Sequence, residues 1–522
     1  MLFPSGERLA RTLHEMSGLE ERIGVMMKTE RRRFYIRPGA LFLLIVIAGC
    51  ASQDRYRYEN IRTEYTRAAY PEDRTTSVDS RHSDAALDRP LSLAEAIQIA
   101  RENNPDNRMA IARMKQAQAM VDRANAAFYP SFGFYTEYLE ADAPSIYLAK
   151  TLDQRSFIPG TDFNYPGRLE NWESGLDARW NIYNGGRDAL NKKISKSGFT
   201  ISGYDRQDIE NRLVNSVSRT YFDCLAAQEF VAISKESVST VEEQLRVTQV
   251  KFDAGGVLKS DLLSLEVRFA KAQEDVVRSN NRLKTLLAAL ANIMGVSPGK
   301  EIRLGEAERD AIQIPEEYDN AVEFAMQHRP DLKIIRQQVV QSRMELDLAG
   351  AGYMPSVDLF GKLYVADRNL SYDWDRKNWA TGVLFNWDFF TGFSTKADRN
   401  KASASLEEML AVDRKTILNA KLEVKYAYLN LGEAQARVTV VRKSVASAEE
   451  SLKLVKMQYE GGSATITRYL EAELDRNRAK IRATAAFYDH QKAIFEIGRA
   501  IGYWHAENEQ SGQMSQESPT HE

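Results

Sequence analysis

Taken by alternate fours and threes, residues 420–459 read Ala420, Val424, Ala427, Leu431, Ala434, Val438, Val441, Val445, Ala448, Leu452, Val455 and Tyr459; only the tyrosine hydroxyl is polar. A period of 3.5 residues held over this length is a coiled-coil seam, which commits the segment to a long helix supercoiled against a partner. Glu460-Gly461-Gly462-Ser463 then turns the chain, and a second run without proline continues to about Ala500. The two arms are predicted to form one helical hairpin.

The first half of the chain carries a copy. Moved back by 207 positions, the turn becomes Phe252-Asp253-Ala254-Gly255, followed by Gly256, and the seam becomes Leu213, Val217, Thr220, Cys224, Ala227, Val231, Ser234, Val238, Val241, Leu245, Thr248 and Phe252. The returning arm reads Leu258, Leu262, Leu265, Phe269, Ala272, Val276, Ser279, Leu283, Leu286, Leu290 and Ile293. Further upstream, Asn104-Pro105-Asp106 matches Arg329-Pro330-Asp331 and Tyr129-Pro130-Ser131 matches Met354-Pro355-Ser356, both at an offset of 225. Pro130 to Trp180 spans 50 positions and Pro355 to Trp387 only 32, so the difference of 18 residues falls in one loop of the first repeat, within 141–171. All fourteen prolines lie outside 167–297 and 356–518, which leaves few breakers in the predicted helices.

Between the prolines and the tryptophans the pattern changes from helical to alternating. Trp172, Ser174, Leu176, Ala178, Trp180 and Ile182 share one face, and Glu173, Gly175, Asp177, Arg179 and Asn181 the other. Phe132, Phe134 and Tyr138 stand on the apolar face of a partner strand. In the second repeat Trp379, Thr381, Val383, Phe385, Trp387 and Phe389 face Val357, Leu359, Gly361, Leu363 and Val365. Strands of about ten residues, apolar on one side and rich in aromatics, match a membrane β-barrel or a soluble sandwich hairpin. Four strands do not close a spanning barrel, and lipid tolerates no open edge. The strands are therefore expected to be pooled among subunits, eight from two chains or twelve from three.

Length gives the next expectation. The arm from Arg187 to Val250 is roughly 95 Å long as a helix, whereas its return partner, 257–292, is about half that. End-to-end stacking of 257–292 with 320–352, and of 464–500 under 92–128, would fill the gap. Ser92 and Glu95 form a capping box at the start of the first short helix.

The N-terminus reads as an export signal: Arg31-Arg32-Arg33 and Arg37 precede the apolar run 40–47 and the small residues Ala48-Gly49. Ile47-Ala48-Gly49-Cys50 resembles the bacterial lipobox, which implies cleavage before Cys50 and a covalent lipid on that cysteine; the simpler reading is an ordinary signal peptide. Residues 1–25 precede the basic region and are expected to lie upstream of a true start at Met26 or Met27. The polar, aperiodic stretch to about residue 90 reads as a tether. Cys224 falls on a helical seam as a small core residue.

Taken in order, from Leu91 to Gly502, the duplicated helix, Tyr-Pro-Ser-type junction, strand hairpin, Trp180-Asn181-Ile182-Tyr183-Asn184-Gly185-Gly186, long helical hairpin and closing Gly295 or Gly502 resemble the TolC-type outer membrane efflux proteins, in their lipidated branch. The resemblance implies an α+β membrane protein that trimerises into a twelve-stranded β-barrel and a periplasmic α-helical barrel. The implied function is a passive outer-membrane conduit exporting small molecules, with a periplasmic adaptor and a proton-driven inner-membrane transporter as partners. The outer membrane channel of a protein secretion system is the alternative, and a periplasmic coiled-coil scaffold without a pore the reading from another class. The resulting division is signal peptide 1–49, anchor and tether 50–90, first repeat 91–297 (strand hairpin 131–183, helical hairpin 187–293), linker 298–319, second repeat 320–502 (strand hairpin 356–390, helical hairpin 394–500) and disordered tail 503–522.

By the same resemblance, side chains just past the tip glycines ring an aperture: Asp261, Arg468 and Glu471, with Arg468 where an acid is expected. Asp261 and Arg468 are expected to pair between neighbouring hairpins. The tips, with Phe252, Gly255 and Gly256 on one hairpin and Tyr459, Gly461 and Gly462 on the other, are the implied adaptor contacts, and Pro130 and Pro355 mark the helix-strand junctions. On the face assigned to the lumen, Glu137, Glu173, Asp177, Asp358 and Asp388 outnumber Arg179 and Lys362, which predicts mild cation preference.

Enzymatic chemistry has little support. The six histidines are scattered, with no His-Glu-x-x-His; Gly295-Val296-Ser297-Pro298-Gly299-Lys300 lacks the length and the Ser/Thr of a phosphate loop. A net charge of −3 over 522 residues gives no nucleic-acid signal. Neither a metal nor any cofactor beyond the lipid is expected.

Overall fold

The structure, a computed structural model, describes residues 57–69, 89–305, 314–370 and 373–504. The expected signal peptide, Cys50 and residues 505–522 lie outside the described residues. The chain divides into two units, residues 1–84 and 85–522. In the first, helix α1 (Tyr58–Ala69) occupies part of the stretch expected to be an aperiodic tether. Tyr58, Ile61 and Tyr65 recur at spacings of three and four, a helical period short enough to escape notice in so polar a segment.

The second unit is built twice from one plan. In the first repeat, α2 (Leu93–Asn103) and α3 (Pro105–Ala126) lead to β1 (Ser131–Ala141), a short helix α4 (Pro144–Asp153) and β2 (Leu169–Tyr183). The long hairpin α5 (Arg187–Asp253) and α6 (Lys259–Ile293) follows. The second repeat has α7 (Tyr318–His328), α8 (Pro330–Gly350), β3 (Ser356–Asp367), β4 (Lys377–Asn386), α9 (Ser394–Glu460) and α10 (Ile466–Ile501). It thus starts at Tyr318, two residues before the expected boundary, and ordered chain runs past 502: Trp504 stacks on Phe495 with centroids 5.5 Å apart. Among the described residues no helix is long and apolar enough to cross a membrane.

The seams hold throughout. Every seam position of α5 and α9 is buried or half-buried, and on the returning arm of α6 only Leu258, its N-cap residue, is exposed. Cys224 is a free, buried core residue, and burial pushes its thiol up to about 12. At 67 residues each, α5 and α9 are roughly 100 Å long.

Short helices do stack end to end to match them, but with the pairing opposite to the one expected. The Asn104 Nδ2 at the head of α3 donates to the Ile293 carbonyl at the foot of α6, 2.8 Å. The Arg329 Nη1 at the head of α8 donates to the Ala500 carbonyl of α10, 2.9 Å. So 259–293 continues into 105–126, and 466–501 into 330–350, each repeat closing on itself. The closing glycines allow the abutment. A Cβ on Gly295 would sit 2.4 Å from the Asn103 carbonyl oxygen, one on Gly502 would sit 3.1 Å from the Arg329 backbone, and both glycines have left-handed φ. The expected capping box is present, with Glu95 N–H donating to Ser92 Oγ at 3.3 Å and Ser92 N–H to Glu95 Oε2 at 3.0 Å.

Two apolar clusters join the repeats within the helical part. Near the helix joints, Leu91, Val217, Tyr221, Leu290 and Met294 are fully buried in one core, and the Tyr221 hydroxyl donates to the Leu91 carbonyl at 2.7 Å. Toward the tips, Val241, Leu265, Val455, Ile466 and Tyr469 form a smaller core that joins all four long-hairpin arms. Directly above it lies a buried polar clamp. The Glu473 carboxylate, fully buried, accepts from Ser237 Oγ (2.7 Å), Arg268 Nη2 (2.7 Å) and Asn477 Nδ2. Beside it Glu236 pairs with Arg476 and with Lys480 at 3.1 Å, and Lys480 reaches Glu449 of α9 at 3.7 Å. Burial opposes the Glu236 charge, but the Lys480 hydrogen bond and the cationic neighbours outweigh it and hold that carboxyl below its ordinary range.

Removing one partner of a buried pair leaves an uncompensated charge, at a cost of about 3–5 kcal/mol, whereas replacing both with apolar groups is often neutral. Arg268→Met is therefore expected to accelerate hydrogen exchange in residues 466–480 by at least a hundredfold, and Arg268→Met with Glu473→Leu to restore near-native exchange. Native exchange in the single variant would show that the clamp adds nothing.

Candidate functional site: the strand faces and the hairpin tips

The sheet runs β1-β2-β3-β4, antiparallel throughout, with β1 and β4 as unpaired edges. Register sorts its side chains into two faces. Phe134 pairs with Leu176 and Leu176 with Leu363, which pairs in turn with Trp379, so one face is apolar across all four strands. Phe132, Phe134, Leu176, Trp379, Val383 and Phe385 are all exposed on it. The opposite face joins Tyr135 to Gly175 and Tyr364, and Asp177 to Lys362. An apolar exposed face and a polar inner face are what a lipid-facing wall around a wet interior requires.

The polar face is partly covered. Helix α4, from the long β1–β2 connection, lies on it: Lys150 Nζ donates to Glu173 Oε2, and Gln154 Nε2 to Asn171 Oδ1 (2.9 Å) and the Glu170 carbonyl (3.0 Å). Glu173, nearly fully buried, also accepts from Lys362 Nζ at 2.7 Å and the Tyr135 hydroxyl at 2.7 Å. Strand β4 ends at Asn386, short of the expected 390, because the chain turns there toward α9 through left-handed Gly392 and Phe393. Asp388 thus leaves the strand face, where four acids, Glu137, Glu173, Asp177 and Asp358, stand against Arg179 and Lys362, while α4 brings Lys150 and Asp153 beside them.

Pro130 and Pro355 sit at the helix-strand junctions, each answered by a tryptophan. Trp180 Nε1 donates to the Phe128 carbonyl at 3.2 Å and Trp387 Nε1 to the Tyr353 carbonyl at 3.1 Å. The two bonds occupy equivalent places in the two repeats and satisfy carbonyls at helix ends. Gly185 has a positive φ, and a Cβ there would fall 2.6 Å from Met354 Cβ, so the first repeat's turn packs directly on the second repeat's junction.

At the tips, Gly255 and Gly462 carry the left-handed φ that reverses the chain, and Gly256 N–H donates to the Lys251 carbonyl at 2.8 Å. Gly461 is right-handed and belongs to the helix end. Half-buried Tyr459 stacks on Tyr469, 5.7 Å between centroids, and Lys251 Nζ lies 5.3 Å from its ring, so the hairpins meet beside the turns. Phe252 is half-buried.

Asp261 lies in the first turn of α6, and Arg468 and Glu471 are exposed on α10. Within the chain, among the described residues, Asp261 and Arg468 do not pair; Arg468 instead borders a surface groove with Glu450 and Gln458 of α9. Among the described residues an ion pair that bridges α6 and α10 is Arg268 with Glu473, farther from the turns. Sequence reading missed it by looking six and nine residues past the glycine. The available signal was Glu473 and Asn477 interrupting the otherwise small and apolar stripe of Ile466, Tyr469, Ala472 and Ala479.

A family profile described as outer membrane efflux protein matches residues 96–296 and 321–503. The pyoverdine export outer membrane protein OpmQ of Pseudomonas aeruginosa is 22% identical over 412 residues, covering 78% of this chain and 85% of its own. The probable outer membrane lipoprotein SilC of Salmonella typhimurium is 19% identical over 473 residues, 84% of this chain and 92% of its own. The crystal structure of the Campylobacter jejuni CmeC outer membrane channel superposes with a TM-score of 0.70 at 20% identity, over 80% of this chain and 88% of that one. Proteins of this kind are channels, not enzymes; they form trimers that work with an adaptor and an inner-membrane pump. Three copies of the four-stranded sheet give the twelve strands that close its edges. Matched through both repeats, this chain belongs to the outer membrane efflux protein family.

Proposed function

We propose that this channel is the outer passage for small molecules in an assembly driven by a proton-coupled inner-membrane pump, with its two hairpin tips seated on the adaptor. The observation that carries this reading is the sorting of the sheet into an exposed apolar face and a polar face spread over all four strands. Such a lining keeps water in the passage and favours a conduit over a binding protein. The name of the pyoverdine exporter supports the same class of cargo. Phe252, Gly255, Gly256, Tyr459, Gly461 and Gly462 are the proposed adaptor contacts, because the turns and their flanking aromatics are the parts of the hairpins left for end-on docking.

Asp261, Arg468 and Glu471 are proposed to ring the aperture, with any Asp261–Arg468 latch formed between chains. The order of the long helices within a chain, α6-α5-α10-α9, leaves α6, which carries Asp261, and α9 as the outer flanks, and Arg468 of α10 reaches toward the second flank through the groove it shares with Glu450 and Gln458 of α9. An exposed pair of this kind contributes about 0–1 kcal/mol. Lipidation at Cys50 is proposed as a second membrane attachment beside the barrel.

Three outcomes test the reading. Arg468→Asp is expected to raise the conductance of the isolated trimer in planar bilayers by up to about fivefold, the most that about 1 kcal/mol allows; unchanged conductance removes the latch. Reversal potentials under a salt gradient are expected to favour cations, given four acids against two bases on the strand face; anion preference contradicts the lining. Intact-mass analysis of the mature protein is expected to show a lipid that Cys50→Ser abolishes, and an unmodified N-terminus ends that proposal.

A further inference from the structure

The two repeats differ most where the chain turns at the end of the strands away from the helices. Residues 142–168 join β1 to β2, whereas residues 368–376 join β3 to β4. The extra length includes α4, and α4 buries the wrong face for an ordinary helix. Lys150, Thr151 and Gln154, on one stripe, turn toward the sheet, where Thr151 and Gln154 are buried. Leu148, Ala149 and Leu152, on the opposite stripe, are exposed, with Ile146 beside them. A helix packed through its polar side leaves apolar surface without a partner unless something else covers it.

The register settles where that surface points. Glu173, Tyr135 and Lys362 belong to the polar face, which is the inner face of the closed barrel, so α4 stands inside the mouth and its apolar stripe faces the axis. Asp153 strengthens the attachment: its carboxylate accepts from the Tyr364 hydroxyl at 3.2 Å and its carbonyl from Asn378 Nδ2 at 3.1 Å. Twelve strands spaced by about 4.8 Å and tilted by about 40° enclose a circle of radius roughly 12 Å. Three helices of about 11 Å diameter, packed side by side, already need an enclosing circle of about that radius before the inward side chains of the strands are counted, so at the mouth they more than fill the bore.

From this we infer that the three copies of α4 meet at the axis through Leu148, Ala149 and Leu152 and form an outer constriction that decides what size of molecule leaves the channel. The occupant of each exposed stripe is the same helix of the two other copies. This constriction is separate from the hairpin tips at the far end of the helices, and it rests on the channel reading above.

The test places a cysteine deeper in the passage. Arg179 lies on the polar face six residues along β2 from Glu173, roughly 20 Å along the strand and so about 15 Å deeper at a tilt of about 40°, and its side chain is 80% exposed within one chain. Cys224 is buried and gives little background. In intact cells carrying R179C, a maleimide on a short polyethylene glycol, narrower than the barrel but wider than a gap between packed helices, is expected to react slowly when added outside. Replacing 142–168 by a nine-residue Gly-Ser connection should speed this reaction at least tenfold. Leu148→Asp with Leu152→Asp, which leaves the sheet attachment of α4 intact and sets six carboxylates around the axis, should speed it in the same direction. Heat-modifiable trimers in each strain confirm assembly. Equal rates with and without α4, at a cysteine that the small biotin maleimide reaches, overturn the constriction. A cysteine inert to both this reagent and a small biotin maleimide even after the loop is replaced overturns the channel reading itself, because residue 179 would then not face a passage open to the outside.

Discussion

Everything in this chain depends on the backbone groups along the edges of β1 and β4. In lipid no water is present to take up an unpaired N–H or carbonyl, each of which costs several kcal/mol. One chain supplies four strands and two open edges, so the sheet exists in a membrane only as part of a ring. Trimerisation is therefore a condition of the fold and not an addition to it. The exposed aromatic face, which would be a liability on a soluble monomer, becomes the lipid-facing wall once the ring closes.

The helical half meets a different demand with the same economy. A hairpin of one long and one short arm leaves half the long arm bare, and the structure fills the gap by abutting a second short helix on the first. The joint needs a carbonyl to be satisfied and a backbone to come very close. Asn104 and Arg329 supply the donors, while Gly295 and Gly502 supply the absent side chains. Because both joints obey this rule, the end-to-end stacking stays within each repeat, and the repeats meet sideways, through the pairing of β2 with β3, the packing of α5 on α8 and α10, the apolar clusters and the clamp around Glu473.

A fully buried carboxylate between helices that belong to different hairpins is a costly way to join them, since apolar packing does so at less risk. Its compensating property is direction. Ser237, Arg268 and Asn477 accept only one register of α10 against α5 and α6, whereas a seam of small apolar residues tolerates sliding by a heptad. The aromatic contacts of Tyr459 nearer the turns complete that alignment.

The sequence by itself determined the periods, the duplication, the position of the turns, the two faces of each strand and the 18-residue excess in one loop, because all of these are local patterns of side-chain type. Helix boundaries such as Arg187 and Ser394 followed from them, as did the burial of Cys224. Tertiary structure decided which short helix continues which, that Glu473 and not Arg468 bridges α6 and α10 within the chain, and that α4 folds onto the polar face. Each of these turns on the direction of one polar side chain in three dimensions, Asn104 toward Ile293, Arg268 toward Glu473, Lys150 toward Glu173. Spacing along a chain states what period a residue keeps; it does not state which distant carbonyl or carboxylate the fold will bring within 3 Å of it.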